Sequence, residues 1–115
     1  VLIVEDEALV CMLLEDLLSE IGCQVVATAS NVHGGLSLVR SVDFDVAVLD
    51  VNLGDERSYP IADLLIESDK PFLFSTGFDR VEDAYKRLPR IQKPFRQDDL
   101  ERLLIKVMLR MNSAA

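Results

Sequence analysis

Two hydrophobic periods alternate along the 115 residues of this chain. Short runs rich in Val, Ile, Leu and Phe recur five times, at 1–4, 24–29, 44–49, 71–75 and 90–92. Between and after them lie stretches with helical spacing: 8–21, a segment entered at Asn31, then 58–67, 79–87 and 97–111. The change from a strand-like run to a 3.6-residue period is the primary secondary-structure signal. Five strand–helix pairs in alternation require parallel strands, because parallel neighbours are joined only by crossovers. The strand runs are almost wholly apolar, as expected of a sheet covered on both faces. The expected fold is therefore α/β: one doubly wound, five-stranded parallel sheet with helices on both faces. At this length the whole of 1–115 is expected to be one domain.

Local signals set several element ends. Gly22 follows the first helix, where a left-handed residue closes the last turn. In that helix Leu9, Leu13 and Leu17 are expected on the apolar face, with Val10, Leu14, Leu18 and Ile21 widening it. Asn31 is a natural N-cap for the second helix, whose apolar residues are Leu36, Leu38 and Val39. Gly34 and Gly35 weaken its helical propensity. Pro60 falls in the first turn of the third helix, where proline is tolerated. The segment 52–57, Asn-Leu-Gly-Asp-Glu-Arg, reads as a loop.

Composition narrows the function classes. Twelve Lys and Arg against twenty Asp and Glu leave a net charge of −8, which repels phosphate backbones, so direct nucleic-acid binding is not expected. The apolar runs fall well short of the ~20 residues of a membrane helix, and no charged-then-apolar signal peptide pattern is expected at the start. A cytoplasmic protein is expected. Cys11 and Cys23 read as small hydrophobes rather than a metal pair or a disulfide. His33 reads as a surface or packing residue. Met108 and Met111 read as core or partner-facing residues of the last helix.

In doubly wound folds the working site lies beyond the carboxyl ends of the strands. Those ends carry Glu5 and Asp6, Asp50, Thr76 and Lys93. Three carboxylates brought together repel one another unless a cation joins them. Mg²⁺, a hard oxygen-seeking ion, suits that set. Lys93 adds a mobile positive charge for phosphate oxygens, Thr76 a neutral hydroxyl, and Gly77 leaves room for a bulky group. A carboxylate can accept a phosphoryl group as an acyl phosphate, and Asp50 is the natural nucleophile. Acids after strands also serve as helix caps, but capping accounts neither for Lys93 nor for three acids on one edge.

In order along the chain, Val4-Glu5-Asp6-Glu7, Leu49-Asp50-Val51-Asn52, Ser75-Thr76-Gly77 and Lys93-Pro94-Phe95 resemble the motifs of response-regulator receiver domains. The resemblance implies a flavodoxin-like sheet of strand order 2-1-3-4-5, Asp50 as phosphoacceptor and metal ligand, Glu5 and Asp6 as the acidic pair with Asp6 the nearer ligand, and the Asn52 carbonyl completing the Mg²⁺ shell. It implies Thr76 as a switch hydroxyl, Lys93 as its partner, and a cis Lys93–Pro94 bond. The donor would be a sensor histidine kinase or a histidine phosphotransferase, and the readout a downstream protein target. Receivers usually couple the threonine to an aromatic residue three positions before the lysine, where this chain has Arg90. Phe74-Ser75-Thr76-Gly77-Phe78, entered from Pro71, resembles instead a subfamily with a Phe-Ala-Thr-Gly-hydrophobic-Tyr motif, often stand-alone bacterial receivers. In such a chain Arg90, Gly77 and Phe78 would carry the switch by another route, and bulky Phe78 would slow hydrolysis. The signalling surface is expected to include the charged stretch Arg80, Glu82, Asp83, Lys86 and Arg87.

Two other functions compete. An aspartyl-phosphate phosphatase or phosphotransferase would carry an acid–base aspartate two positions after the nucleophile, but Asn52 stands there and cannot shuttle a proton. A non-phosphorylated interaction domain of the same fold would have no use for Asp50, Thr76 and Lys93 together. The expected protein is a signalling domain, not an enzyme.

Overall fold

The computed structural model describes residues 1–77 and 81–114. The elements in chain order are β1 (Leu2–Val4), α1 (Ala8–Glu20), β2 (Ala27–Ala29), α2 (Val32–Ser41), β3 (Ala47–Asp50), β4 (Asn52–Leu53), β5 (Glu56–Arg57), α3 (Tyr59–Glu67), β6 (Phe72–Thr76), β7 (Arg90–Gln92) and α4 (Gln97–Ala114). The central sheet is five-stranded in the order β2-β1-β3-β6-β7, and every neighbouring pair is parallel. Counted among the sheet strands alone, this is 2-1-3-4-5, the order expected from the family resemblance.

Alternate residues of each strand feed two cores, because successive side chains point to opposite faces. Leu2, Val4, Ala47, Leu49, Phe72 and Phe74 pack with Ile61, Ala62 and Leu65 of α3, with α2 behind them. Val1, Ile3, Val46, Val48, Leu73 and Ile91 pack with Leu14 and Leu18 of α1 and with Leu100, Leu104 and Val107 of α4. Each such leucine, fully buried, contributes about 1.5–3 kcal/mol. On α1 the buried stripe is thus centred on Leu14 and Leu18. Leu17 is half-buried, whereas Leu9 and Leu13 are 80% and 45% exposed. That corrects the expected face: α1 is apolar on most sides, so its periodicity does not single out the stripe that meets the sheet.

The caps follow local chemistry. Gly22, at φ 87°, ends α1, with the Cys23 N–H donating back to the Leu18 carbonyl at 2.8 Å. Asn31 Oδ1 accepts from the Gly34 N–H at 2.7 Å and starts α2. Gly35 is buried where α2 meets α3. A methyl placed on it would collide with the Ile61 Cδ1 and come within 3.3 Å of Val4. The glycine that lowers α2's propensity is therefore what lets the two helices touch.

Two segments differ from expectation. The expected loop 52–57 forms a hairpin, with Asn52 opposite Arg57 and Leu53 opposite Glu56. Gly54, at φ 64°, supplies the left-handed residue its tight turn requires. The helix expected at 79–87 is, among the described residues, only a single 3₁₀ turn at Asp83–Tyr85. Side-chain contacts to α3 hold this segment in place of a run of helical hydrogen bonds, as developed below.

Candidate functional site

Parallel register brings the strand ends into line. Val4 pairs with Leu49 and Asp50 with Ser75, so Glu5 and Asp50 leave adjacent strands side by side. Oxygens of Glu5, Asp6 and Asp50 lie within 4.8 Å of one another. Glu5 and Asp50 are buried, 4% and 5% exposed, while Asp6 faces solvent. Thr76, also buried, ends β6, and its carbonyl accepts the Lys93 N–H at 2.7 Å. The Lys93–Pro94 bond is cis.

The electrostatics centre on one ammonium. Lys93 Nζ lies 3.1 Å from Glu5 Oε2 and 3.2 Å from Asp50 Oδ2. It donates a hydrogen bond to Asp50, whose other oxygen accepts from the Asn52 N–H at 3.3 Å. Burial and the neighbouring Asp50 charge push the Glu5 carboxyl up to about 7, despite the opposing pull of Lys93 and the Glu7 N–H. Burial alone would lower the Lys93 ammonium, but the two carboxylates outweigh it and raise it. One cation held between two buried acids is a strong pair, yet three acids still outnumber it.

Three oxygens of this spacing, one of them open to solvent, fit a small hard cation that keeps part of its water shell. The hairpin holds Asp6 beside the other two acids: its Oδ2 accepts from the Gly54 N–H at 3.0 Å. Reading the sequence missed this support, although the Gly54-Asp55 pair is a recognised turn signal. It also missed Ser75, a buried hydroxyl placed in register beside Asp50. Asn52 lies on β4, its main chain adjoining Asp50.

The expected switch residues are dispersed. Arg90 is exposed on edge strand β7, in register with Phe74. Gly77 is half-buried with open space where a side chain would stand. Phe78 and Arg80 lie outside the described residues, as does the side chain of Met111. Glu82, Asp83, Lys86 and Arg87 are all exposed, and Lys86 pairs with Asp83 at 2.7 Å. His33 is exposed on α2, and Cys11 and Cys23 are free and half-buried. No helix among the described residues is long and apolar enough to cross a membrane.

Residues 1–105 match the family described as response regulator receiver domain. Among curated proteins, the chain is 35% identical to a probable transcriptional regulator ycf27 of Guillardia theta, covering 100% of this chain and 47% of that protein. It is 33% identical to the sensory transduction protein LytR of Staphylococcus haemolyticus, covering 92% and 44%. The chain thus spans about half the length of these relatives. Among solved structures it resembles SdrG from Sphingomonas melonis Fr1, with a TM-score of 0.85, 42% identity and 93% of each chain covered. The BeF3-activated conformation of SdrG from Pseudomonas melonis Fr1 gives a TM-score of 0.80 at 41% identity, again over 93% of each chain.

Proposed function

This chain belongs to the response-regulator receiver family, and on that premise we propose that it is a phosphorylatable signalling domain whose acceptor is Asp50. The donor is a protein phosphohistidine, on a sensor histidine kinase or a histidine phosphotransferase. An Asp50 carboxylate oxygen attacks phosphorus, the P–N bond breaks, and the leaving imidazole keeps the electron pair and takes a proton from solvent. What carries the reading is the single ammonium of Lys93, 3.1 and 3.2 Å from two buried acids that would otherwise repel any incoming anion.

Each residue's task follows from its placement. Lys93 shifts its charge from the Asp50 carboxylate to the new phosphoryl oxygens, at little reorganisation cost because it already sits there. Thr76, tied through its carbonyl to the Lys93 N–H, offers its hydroxyl to the same group. The Asn52 N–H orients Asp50. Glu5, Asp6, Asp50 and the Asn52 carbonyl would hold Mg²⁺, which when bound supplies neutralising charge for the transferred phosphoryl. Phosphorylation and slow hydrolysis are then the domain's own chemistry, and it is not an enzyme turning over a substrate.

A cytoplasmic setting and a downstream protein target complete the proposal. The Phe74-Ser75-Thr76-Gly77 stretch supports the subfamily with a Phe-Ala-Thr-Gly-hydrophobic-Tyr motif. A BeF3-activated conformation of an SdrG supports an acyl-phosphate switch, since beryllium fluoride mimics that group. Mass spectrometry after treatment with acetyl phosphate and Mg²⁺ tests the reading. One phosphoryl group is expected on Asp50, and none there in Asp50→Asn; undiminished labelling of that variant overturns it.

A further inference from the structure

The aromatic pair Tyr59 and Tyr85 lies outside the site, and no role in the chemistry above uses it. Tyr59 opens α3, and Tyr85 ends the 3₁₀ turn that replaces the expected fourth crossover helix. Their rings stack at 4.2 Å between centroids and 8° between planes. Both hydroxyls are engaged. Tyr59 Oη accepts from the Glu82 N–H at 2.9 Å, and Tyr85 Oη donates to Asp63 of α3 at 2.9 Å. The described backbone hydrogen bonds made by the N–H groups of 81–88 are otherwise local to the turn: Tyr85 to Glu82, Lys86 to Asp83, Leu88 to Tyr85. Among the described residues, the segment is therefore attached to the domain by this pair, by buried Val81 and by half-buried Leu88 against the same core.

Each ring stands at the end of a separate path from Asp50. On one path, the Ser58 N–H donates to the carbonyl of Val51, next to Asp50, and Tyr59 follows Ser58. On the other, Thr76 ends β6, and the chain after it leads to Val81, Glu82 and Tyr85. Phe74, two residues before Thr76 on the same strand, sets its ring edge-on to both tyrosines, at 6.1 and 6.3 Å. A phosphoryl group on Asp50 that draws in Thr76 moves the second path relative to the first. A stack this close, with both hydroxyls satisfied, has little to gain from such a shift.

We propose that the Tyr59–Tyr85 stack is a latch that pins 81–88 to α3 in the unphosphorylated protein and opens when Asp50 carries its phosphoryl group. This rests on the reading of Asp50 as acceptor. Opening frees a segment whose backbone is free of long helical ladders to adopt the conformation a partner reads. Because coupling between two sites is reciprocal, contacts that favour the closed form must weaken phosphoryl-analogue binding, and removing them must tighten it.

The chain's two tyrosines are both in the latch and it has no tryptophan, so its tyrosine signals report the latch directly. The test is beryllium fluoride with Mg²⁺ on the full chain, following bound fluoride by ¹⁹F NMR and the tyrosine band by near-ultraviolet circular dichroism. Saturation is expected to diminish that band. Asp63→Ala, at an exposed position, and Tyr85→Phe break the same hydrogen bond and should each bind beryllium fluoride more tightly by a similar modest factor, and Tyr85→Leu, which also removes the stack, by about tenfold. A contact that only stabilises the fold would lower the melting temperature without that gain. Bound fluoride with an unchanged tyrosine band, or wild-type affinity in folded Asp63→Ala and Tyr85→Leu, overturns the latch and leaves Asp50 as acceptor. Absence of any Asp50-dependent bound fluoride overturns the acceptor reading, and the latch with it.

Discussion

Replacing Lys93 with methionine keeps most of the side chain's volume and removes its charge from between Glu5 and Asp50. In the native site the ammonium stands 3.1 and 3.2 Å from their oxygens, and the acid side chains are only 2% and 7% exposed. At an effective dielectric of about 20, each contact is about 5 kcal/mol of gross attraction, most of it spent against desolvation. The larger consequence is two buried carboxylates with no counter-charge, and breaking a buried pair in this way costs about 3–5 kcal/mol. Glu5 supplies relief: its carboxyl is already raised to about 7 with Lys93 present, and rises further without it. In the variant it takes a proton as the solution becomes acidic, so the loss depends on pH. Metal-free Lys93→Met should therefore lose about 3 kcal/mol at about pH 8, or on the order of 10 °C in Tm, and about half that near pH 6. Adding Mg²⁺ at a hundred times its Kd should restore about 2.7 kcal/mol. Glu5→Gln combined with Lys93→Met should recover much of the deficit without metal. Urea unfolding across pH, with and without Mg²⁺, is the assay. A variant as stable as wild type at the alkaline end, or a deficit that neither acid nor Mg²⁺ diminishes, would refute the argument that Lys93 balances a buried acidic pair.

In the metal-free wild type, Glu5 binds a proton more tightly folded than unfolded, its carboxyl raised from the usual 4.5 to about 7 by burial and the Asp50 charge. Stability should therefore fall as pH rises through that window and level off above it; a curve rising across the same range in chelator would contradict the assignment. Gly35→Ala gains about 1 kcal/mol of helix propensity but drives a methyl into Ile61, at about 1–3 kcal/mol of overpacking. A net loss in chemical denaturation is expected, and a stabilised variant would show that α2 and α3 separate easily. Asn31→Ala removes the bond to the Gly34 N–H and should cost about 1 kcal/mol, measured in the same way. Phe78→Ala should hasten decay of the phosphorylated form, measured as loss of the added phosphoryl mass, and an unchanged half-life would remove Phe78 from control of hydrolysis.

Backbone periodicity and local chemistry were enough to determine a parallel sheet with helices on both faces. Parallel order follows from short apolar runs separated by crossovers. The caps at Gly22 and Asn31 follow from residue types that act within one turn of their own position. The cluster at the strand ends was legible for a related reason: in a doubly wound sheet the strand ends share one edge, so Glu5, Asp6, Asp50, Thr76 and Lys93 could be grouped without coordinates. Tertiary packing decided the remainder. Leu9, Leu13, Leu14 and Leu18 are chemically alike, and only contact with the sheet selects the last two for burial. Gly54 supports Asp6 across 48 positions of sequence, a distance at which no periodic pattern carries information. At 79–87 helical spacing alone suggested a helix, while stacking of Tyr59 on Tyr85, the Glu82 N–H bond to the Tyr59 hydroxyl and the Tyr85 hydroxyl's bond to Asp63 hold the described part as a turn. Helix propensity is worth at most about 1 kcal/mol per ordinary residue, and a few long-range contacts suffice to override it.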